Sequence, residues 1–456
     1  MNKKLTGTVL LSAYACCPGK GSEPGYGWNY LLQYAKTFEK VILVTSLQDH
    51  VAVRDRLREL GIVNVVLEVV QMKFGLDRLH YIPVGGIHVH YLLWLKKALA
   101  VIQSLPDRID FAHHLTYGSL QFGSPLYKLE CPFIFGPVGG GQRTNTIFYP
   151  LMSVKARIFE RIRNGVSSLF YRTNPFFKGT IRNASLIYCT NEETRAVVRR
   201  HLDPRRHGKI KMMLDTSLDA RFLTDHVVRS GADPIVRSEA GEVVRLRSGE
   251  VVRSGGVPRC EILWVGRLLP RKGVEILLNT VKYMKGENFH LTMVGDGPLR
   301  GKALSFIKEN GLEGQVSFTG YVDHRKILEY YRAADLLLFL SYRDSTGLQI
   351  MEAFSQGVPV ISFDQFGASL LINEEVGVKI PLEDDLNCLQ ARIADSIRDL
   401  IHDPERTKTM GRKAMDYARR FSWEYRMETI LQDSKPFLIN VKPFIHANAD
   451  LRLERV

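Results

Sequence analysis

Short apolar runs dense in Val, Ile and Leu alternate along the chain with stretches whose apolar residues recur every three or four positions. The first half carries such runs at 8–15, 41–46, 65–71, 111–116, 133–137 and 186–190. The second half carries them at 262–266, 291–295, 316–321, 336–341 and 359–363. Continuous hydrophobicity marks strands buried on both faces, and intervening helices mark parallel sheets. The pattern predicts two doubly wound α/β domains, with ligands at the C-terminal strand ends and in the cleft between them. Trp28, Leu31, Leu32 and Ala35 set the spacing of the first helix. Residues 346–356 predict a short helix closed by Gly357, with Leu348, Met351, Phe354 and Ser355 toward the sheet and Glu352 along the cleft. A last helical pattern covers 407–432, with Ser422 as the N-cap of a restarted helix.

The alternation breaks at Val227, where the chain reads VVRSGADP, IVRSEAGE, VVRLRSGE, VVRSGGVP. These are four near-copies of an eight-residue unit, with Arg229, Arg237, Arg245 and Arg253 in register. A β-hairpin or a floppy insert suits such a unit, and an anion-binding arginine ladder is the alternative, weakened by acids that nearly balance the arginines. The break divides the chain into a first domain at 1–225, a repetitive insert at 226–258, a second domain at 259–425 and a tail at 426–456.

A chain of 456 residues suits two such domains. The formal net charge of +14 favours anionic partners. Six scattered cysteines show neither zinc spacing nor disulfide density, which fits a reducing, cytoplasmic setting. The apolar run after Met1-Asn2-Lys3-Lys4 lacks a small-residue cleavage site and is expected to be the first core strand. The run 81–95, interrupted by Lys96-Lys97, is too short to span a bilayer.

Five segments carry chemistry. The turn from Gly21 to Trp28, GSEPGYGW, lies between a strand and a helix and aims helix N–H groups at an anion. It is neither a P-loop nor a dinucleotide fingerprint. The segment 265–273, VGRLLPRKG, places Arg267 and Lys272 across a proline turn where both can converge on a diphosphate, with Arg271 as bystander. Gly266 stands at that strand end, Gly295 in VGDGP and Gly320 in FTGYV, all small-residue exits against which a flat base could lie. The fifth segment, DSTGLQIME, sets Asp344 and Glu352 eight positions apart around the helix N-terminus at Thr346, Gly347 and Leu348.

Taken in order, these motifs resemble the retaining, nucleotide-sugar-dependent glycosyltransferases of family four, most strongly over 261–423 and more loosely at 7–45 and 111–141. The resemblance implies the GT-B fold, two facing Rossmann-like domains with parallel sheets, the first on the acceptor side and the second binding the nucleotide sugar. It implies that Glu352 holds the ribose and that Asp344, where the family has glutamate, contacts the donor sugar. Backbone N–H groups near Thr346 to Leu348 would then serve the sugar or the distal phosphate. By the same resemblance Arg267 and Lys272 neutralise the departing diphosphate, Gly21 and its loop approach the donor phosphates, and His114, with His113 as rival, is the first domain's catalytic histidine. No cofactor beyond the nucleoside diphosphate sugar is implied. No Asp-x-Asp stands at a strand end, so charge on the leaving group falls to Arg267, Lys272 and helix dipoles rather than to a metal.

Residues 147–182 interleave Lys155, Arg157, Arg161, Arg163, Arg172, Lys178 and Arg182 with Phe148, Phe159, Phe170, Tyr171, Phe176 and Phe177, against the single acid Glu160. Two readings stand. One is a surface facing anionic lipid, with a lipid-linked glycan acceptor; the other is a helix that packs its aromatics into the first domain. No nucleic-acid motif accompanies the charge. Two other functions suit the same motifs: a nucleotide-sugar epimerase, with Glu23 and His113/His114 as its acid–base set, and a catalytically weak nucleotide-sugar-binding subunit.

Overall fold

The computed structural model describes residues 4–82, 85–224 and 259–438, with three short strands, Ile235–Arg237, Val243–Arg247 and Glu250–Val251. Those three pair antiparallel. The remainder of the eight-residue repeats, including Arg229 and Arg253, lies outside the described residues, as does the tail beyond Leu438.

Seven strands build the first sheet: Leu5–Ala13, Phe38–Ser46, Val65–Val70, Phe111–Thr116, Phe133–Val138, Leu186–Cys189 and Ile210–Met212. Counted along the chain, their spatial order is 3-2-1-4-5-6-7, and the pairings are parallel. Leu5–Ala13 is thus central, as its unbroken hydrophobicity requires. The second sheet has six parallel strands, Cys260–Val265, Phe289–Val294, Val316–Gly320, Leu336–Phe339, Val360–Phe363 and Gly377–Ile380, in order 3-2-1-4-5-6. Both orders reverse beside the first strand, which opens a crevice at the carboxyl ends. Each sheet buries a cluster on either face: Val9 and Leu11 point one way and Leu10 the other.

Two segments cross between the domains. The stretch Thr146–Leu151 leaves the first sheet and seats Phe148 in the second domain's core, stacked on Tyr342 at 4.2 Å and tilted against Phe363 at 5.1 Å. At the other end, the expected tail begins inside a helix, Trp423–Ser434, capped by Ser422. Its Trp423, Met427 and Ile430 join Trp28 and Val9 in the first domain's core. The boundary at 425/426 therefore falls within one helix, because an amphipathic helix buries its apolar side wherever a partner surface exists. Buried Arg426 fixes that return through Ser217, the carbonyls of Leu214 and Thr216, and Tyr30.

Candidate functional site

The second domain's strand ends bring Lys272 and Asp344 together. Pro270–Lys272 forms one turn of 3-10 helix. It delivers the Lys272 ammonium to one carboxylate oxygen of Asp344, while the Phe339 ring lies 5.6 Å from the nitrogen. The other Asp344 oxygen accepts from the Ser345 amide at 3.0 Å. Burial works to raise the Asp344 pKa, but Lys272 and Arg271 outweigh it and hold the carboxyl below its ordinary value. Arg271 is thus no bystander. Its guanidinium also donates to the Arg343 carbonyl at 3.2 Å. Arg267 is exposed on the same turn and close enough to act on Arg271, while Lys272 is turned onto Asp344.

The short helix runs Leu348–Ser355, one turn less than expected, with Gly347 in left-handed backbone before it and Gly357 after it. Thr346 is buried and its hydroxyl accepts from the Asp215 amide at 3.4 Å. Glu352 is 2% exposed, enclosed rather than open along the cleft. Its Oε1 meets His324 Nε2 at 2.8 Å and its Oε2 accepts from the Tyr331 hydroxyl at 2.7 Å. The Glu352 bond raises the His324 pKa in spite of burial. Neither His324 nor Tyr331 carries a sequence signal, since strand-end neighbours are separated by tens of residues.

Gly266, Gly295 and Gly320 do converge. The Gly266 amide donates to Val294 and the Gly295 amide to Gly320. A Cβ on Gly295, at φ +139°, would stand 1.9 Å from the Gly266 carbonyl oxygen. Side chains are excluded there by backbone packing.

The first domain supplies the facing wall, through Glu23 of the expected turn and Asp215 rather than through Gly21 or His114. Gly21 is exposed with open space around it, and the tight positions of its segment are Gly25 and Gly27, where a Cβ would lie 2.1 Å from the Lys20 carbonyl and 2.2 Å from the Ala15 carbonyl. His114 does not reach the cleft. It is fully buried, one ring nitrogen 3.0 Å from Ser12 Oγ and the other 3.0 Å from the Tyr91 hydroxyl. Its rival His113 is equally enclosed by Tyr34 and the Gly136 carbonyl. Burial lowers both rings to about 3, which keeps both imidazoles neutral on a strand covered on its two faces.

Instead the wall presents Glu23 and Asp215. Glu23 accepts from the Gly118 amide at 3.3 Å. Burial, and then the neighbouring Asp215, push its carboxyl up to about 8 against that bond. Across the cleft, Thr190 Oγ1 lies 3.0 Å from Ser345 Oγ, and Arg343 donates to Glu160 at 3.0 Å. Asp215 and Glu160 escaped sequence reading because lone acids look alike until their partners are known. In 147–182, Phe148, Tyr171 and Phe177 are buried while Phe159 is 57% exposed, so the aromatics divide between core and surface.

Residues 258–417 match the family model described as Glycosyl transferases group 1. The D-inositol 3-phosphate glycosyltransferase of Corynebacterium efficiens is 30% identical over 172 residues, 36% of this chain and 39% of that protein. The alpha-D-kanosaminyltransferase of Streptomyces kanamyceticus is 27% identical over 165 residues, 36% of this chain and 42% of that protein. The chain spans less than half the length of these curated relatives. Among solved structures, sucrose-phosphate synthase from Thermosynechococcus elongatus aligns with TM-score 0.61 at 18% identity, covering 94% of this chain and 98% of the other. HepE of Anabaena in complex with UDP aligns with TM-score 0.57 at 16% identity, covering 94% and 100%. The two facing parallel sheets and this likeness give the GT-B fold.

Proposed function

Since the chain carries a glycosyltransferase domain of the group 1, family-four type over residues 258–417, we propose that it moves a sugar from a nucleoside diphosphate sugar to a glycan or lipid-linked acceptor with retention of anomeric configuration. One observation carries the reading: the Lys272 ammonium, the Asp344 carboxylate and the helix Leu348–Ser355 that carries enclosed Glu352 meet at the second domain's strand ends, a grouping of cation, helix N–H groups and carboxylates suited to a diphosphate sugar. The UDP held by HepE supports a nucleoside diphosphate as the leaving group.

In this reading Lys272 moves from Asp344 to the diphosphate as charge develops there, with Arg271 and exposed Arg267 adding to the field. Asp344, released, is free for donor-sugar hydroxyls. Glu352 exchanges the His324 contact for ribose hydroxyls while Tyr331 keeps its orientation. The arginines and lysine take the part a metal plays elsewhere, so turnover is expected to survive chelator. No helix among the described residues is long and apolar enough to cross a membrane, and the proposed setting is the inner face of a membrane, in polysaccharide or glycolipid synthesis.

Incubation with a panel of nucleotide sugars and membrane extract tests the reading. Nucleotide release that depends on acceptor, with the donor's anomeric configuration kept in the product by NMR, is the expected result. Interconversion of the donor without release points to an epimerase, and binding without turnover to a weak binding subunit; either outcome overturns transfer.

A further inference from the structure

The helix Val154–Thr173 is built inside out. Its buried positions are Glu160, Ser167 and Tyr171. Its outer side is a ridge of Val154, Ile158, Ile162, Val166 and Leu169, each between 48% and 61% exposed, with Phe159 beside it at 57%. Steps of four, four, four and three residues keep the ridge on one side of the helix along its length. Lys155, Arg161 and Arg172 are exposed along its margins. The helix's one carboxylate, Glu160, faces inward, where it bonds Thr144, Arg163 and Arg343. A second apolar group adjoins: His88 stacks on Phe122 at 5.7 Å and Phe122 meets Phe170 at 5.5 Å, which links the helix to exposed Val89 and the neighbouring Tyr81 and Ile82.

We propose that this face seats the protein on an anionic lipid surface, with the ridge at the acyl boundary and the flanking cations at the headgroups. The charge pattern selects lipid over a second copy of the chain. Self-association would bring two sets of uncompensated cations together, whereas anionic headgroups neutralise them. The placement also explains why one helix carries both features. Its inner side holds Arg343, the residue before Asp344, and its Tyr171 hydroxyl donates to the Gly140 carbonyl at 2.9 Å beside the cleft. A docked helix therefore fixes the cleft close to the bilayer, where a lipid-linked acceptor would be presented. That last step rests on the proposed transferase function; the docking does not.

Cosedimentation of the full chain with vesicles separates the two. Binding is expected to phosphatidylcholine vesicles containing phosphatidylglycerol, to fall with salt, and to be lost on phosphatidylcholine alone. The double substitution Ile158→Gln/Ile162→Gln should weaken it on the order of tenfold, and Arg161→Gln about fivefold, with melting temperatures little changed because at least half of each isoleucine is already in water. Equal binding to neutral vesicles, or full binding by the double variant, overturns the proposal. So does a dimer, seen by light scattering, that the double variant dissociates while neither protein binds vesicles. Vesicle binding without sugar transfer would leave the docking intact and remove the transferase reading.

Discussion

The short side chain of Asp344 bonds its own loop through Ser345 and meets Lys272 with its second oxygen. A glutamate there carries its carboxylate about one bond farther out and cannot close the same small ring with the next amide. Asp344→Asn leaves Lys272 nearly buried without its counter-charge, and a loss of about 3 kcal/mol in denaturant titration is expected. Donor turnover should fall in both Asp344→Asn and Asp344→Glu; unchanged turnover in both would remove Asp344 from the mechanism. Glu23 gives a pH signature of opposite kind. Its folded-state pKa of about 8 lies above its unfolded value, so between the two the folded state binds the extra proton. Stability should decline as pH rises from the ordinary carboxylate range toward 8 and then level off. Glu23→Gln should flatten that decline in melting curves taken across the range, and an unaltered slope would assign it elsewhere.

The strand ends show which glycines the fold requires. Gly295→Ala forces a methyl against the Gly266 carbonyl at a backbone angle that L residues avoid. It should cost at least about 2 kcal/mol and weaken nucleotide binding with it, measured by thermal shift with and without nucleoside diphosphate. Gly21→Ala, in open space, should be near neutral by the same assay. The two positions look alike in sequence, each a glycine after a strand. The eleven predicted strands are all present, since runs such as 41–46 and 336–341 are short, β-branched or leucine-rich and buried on both faces as interior parallel strands. Two more, Ile210–Met212 and Gly377–Ile380, sit at sheet edges. Three or four residues with one neighbour leave no pattern long enough to read.

Between the domains, Glu160 is held by Arg163 and Arg343, all three largely buried. Glu160→Gln leaves two guanidiniums facing each other without an anion and should cost about 3 kcal/mol. Calorimetry should then show the single transition broaden or split as the domains uncouple, and an unchanged sharp transition would show that Phe148 and the returning helix hold them together without this ion cluster. The return of Trp423–Ser434 onto the first domain belongs to the same level. Its apolar spacing announces a helix but not which domain it covers.

Local physics thus made the strands, the proline and glycine turns and the short helix that carries Glu352 readable, because each follows from neighbours a few positions away. The facing wall was not readable in that way. His114 stands toward a strand end, where the resemblance placed a histidine of the site, yet helices cover both sheet faces and bury it, while Glu23, Asp215 and Glu160 gain their character from partners far along the chain. The outward ridge of Val154–Thr173 shows the same division: periodicity fixes that its apolar residues share a side, and only the packing of Glu160 and Tyr171 inward turns that side to solvent.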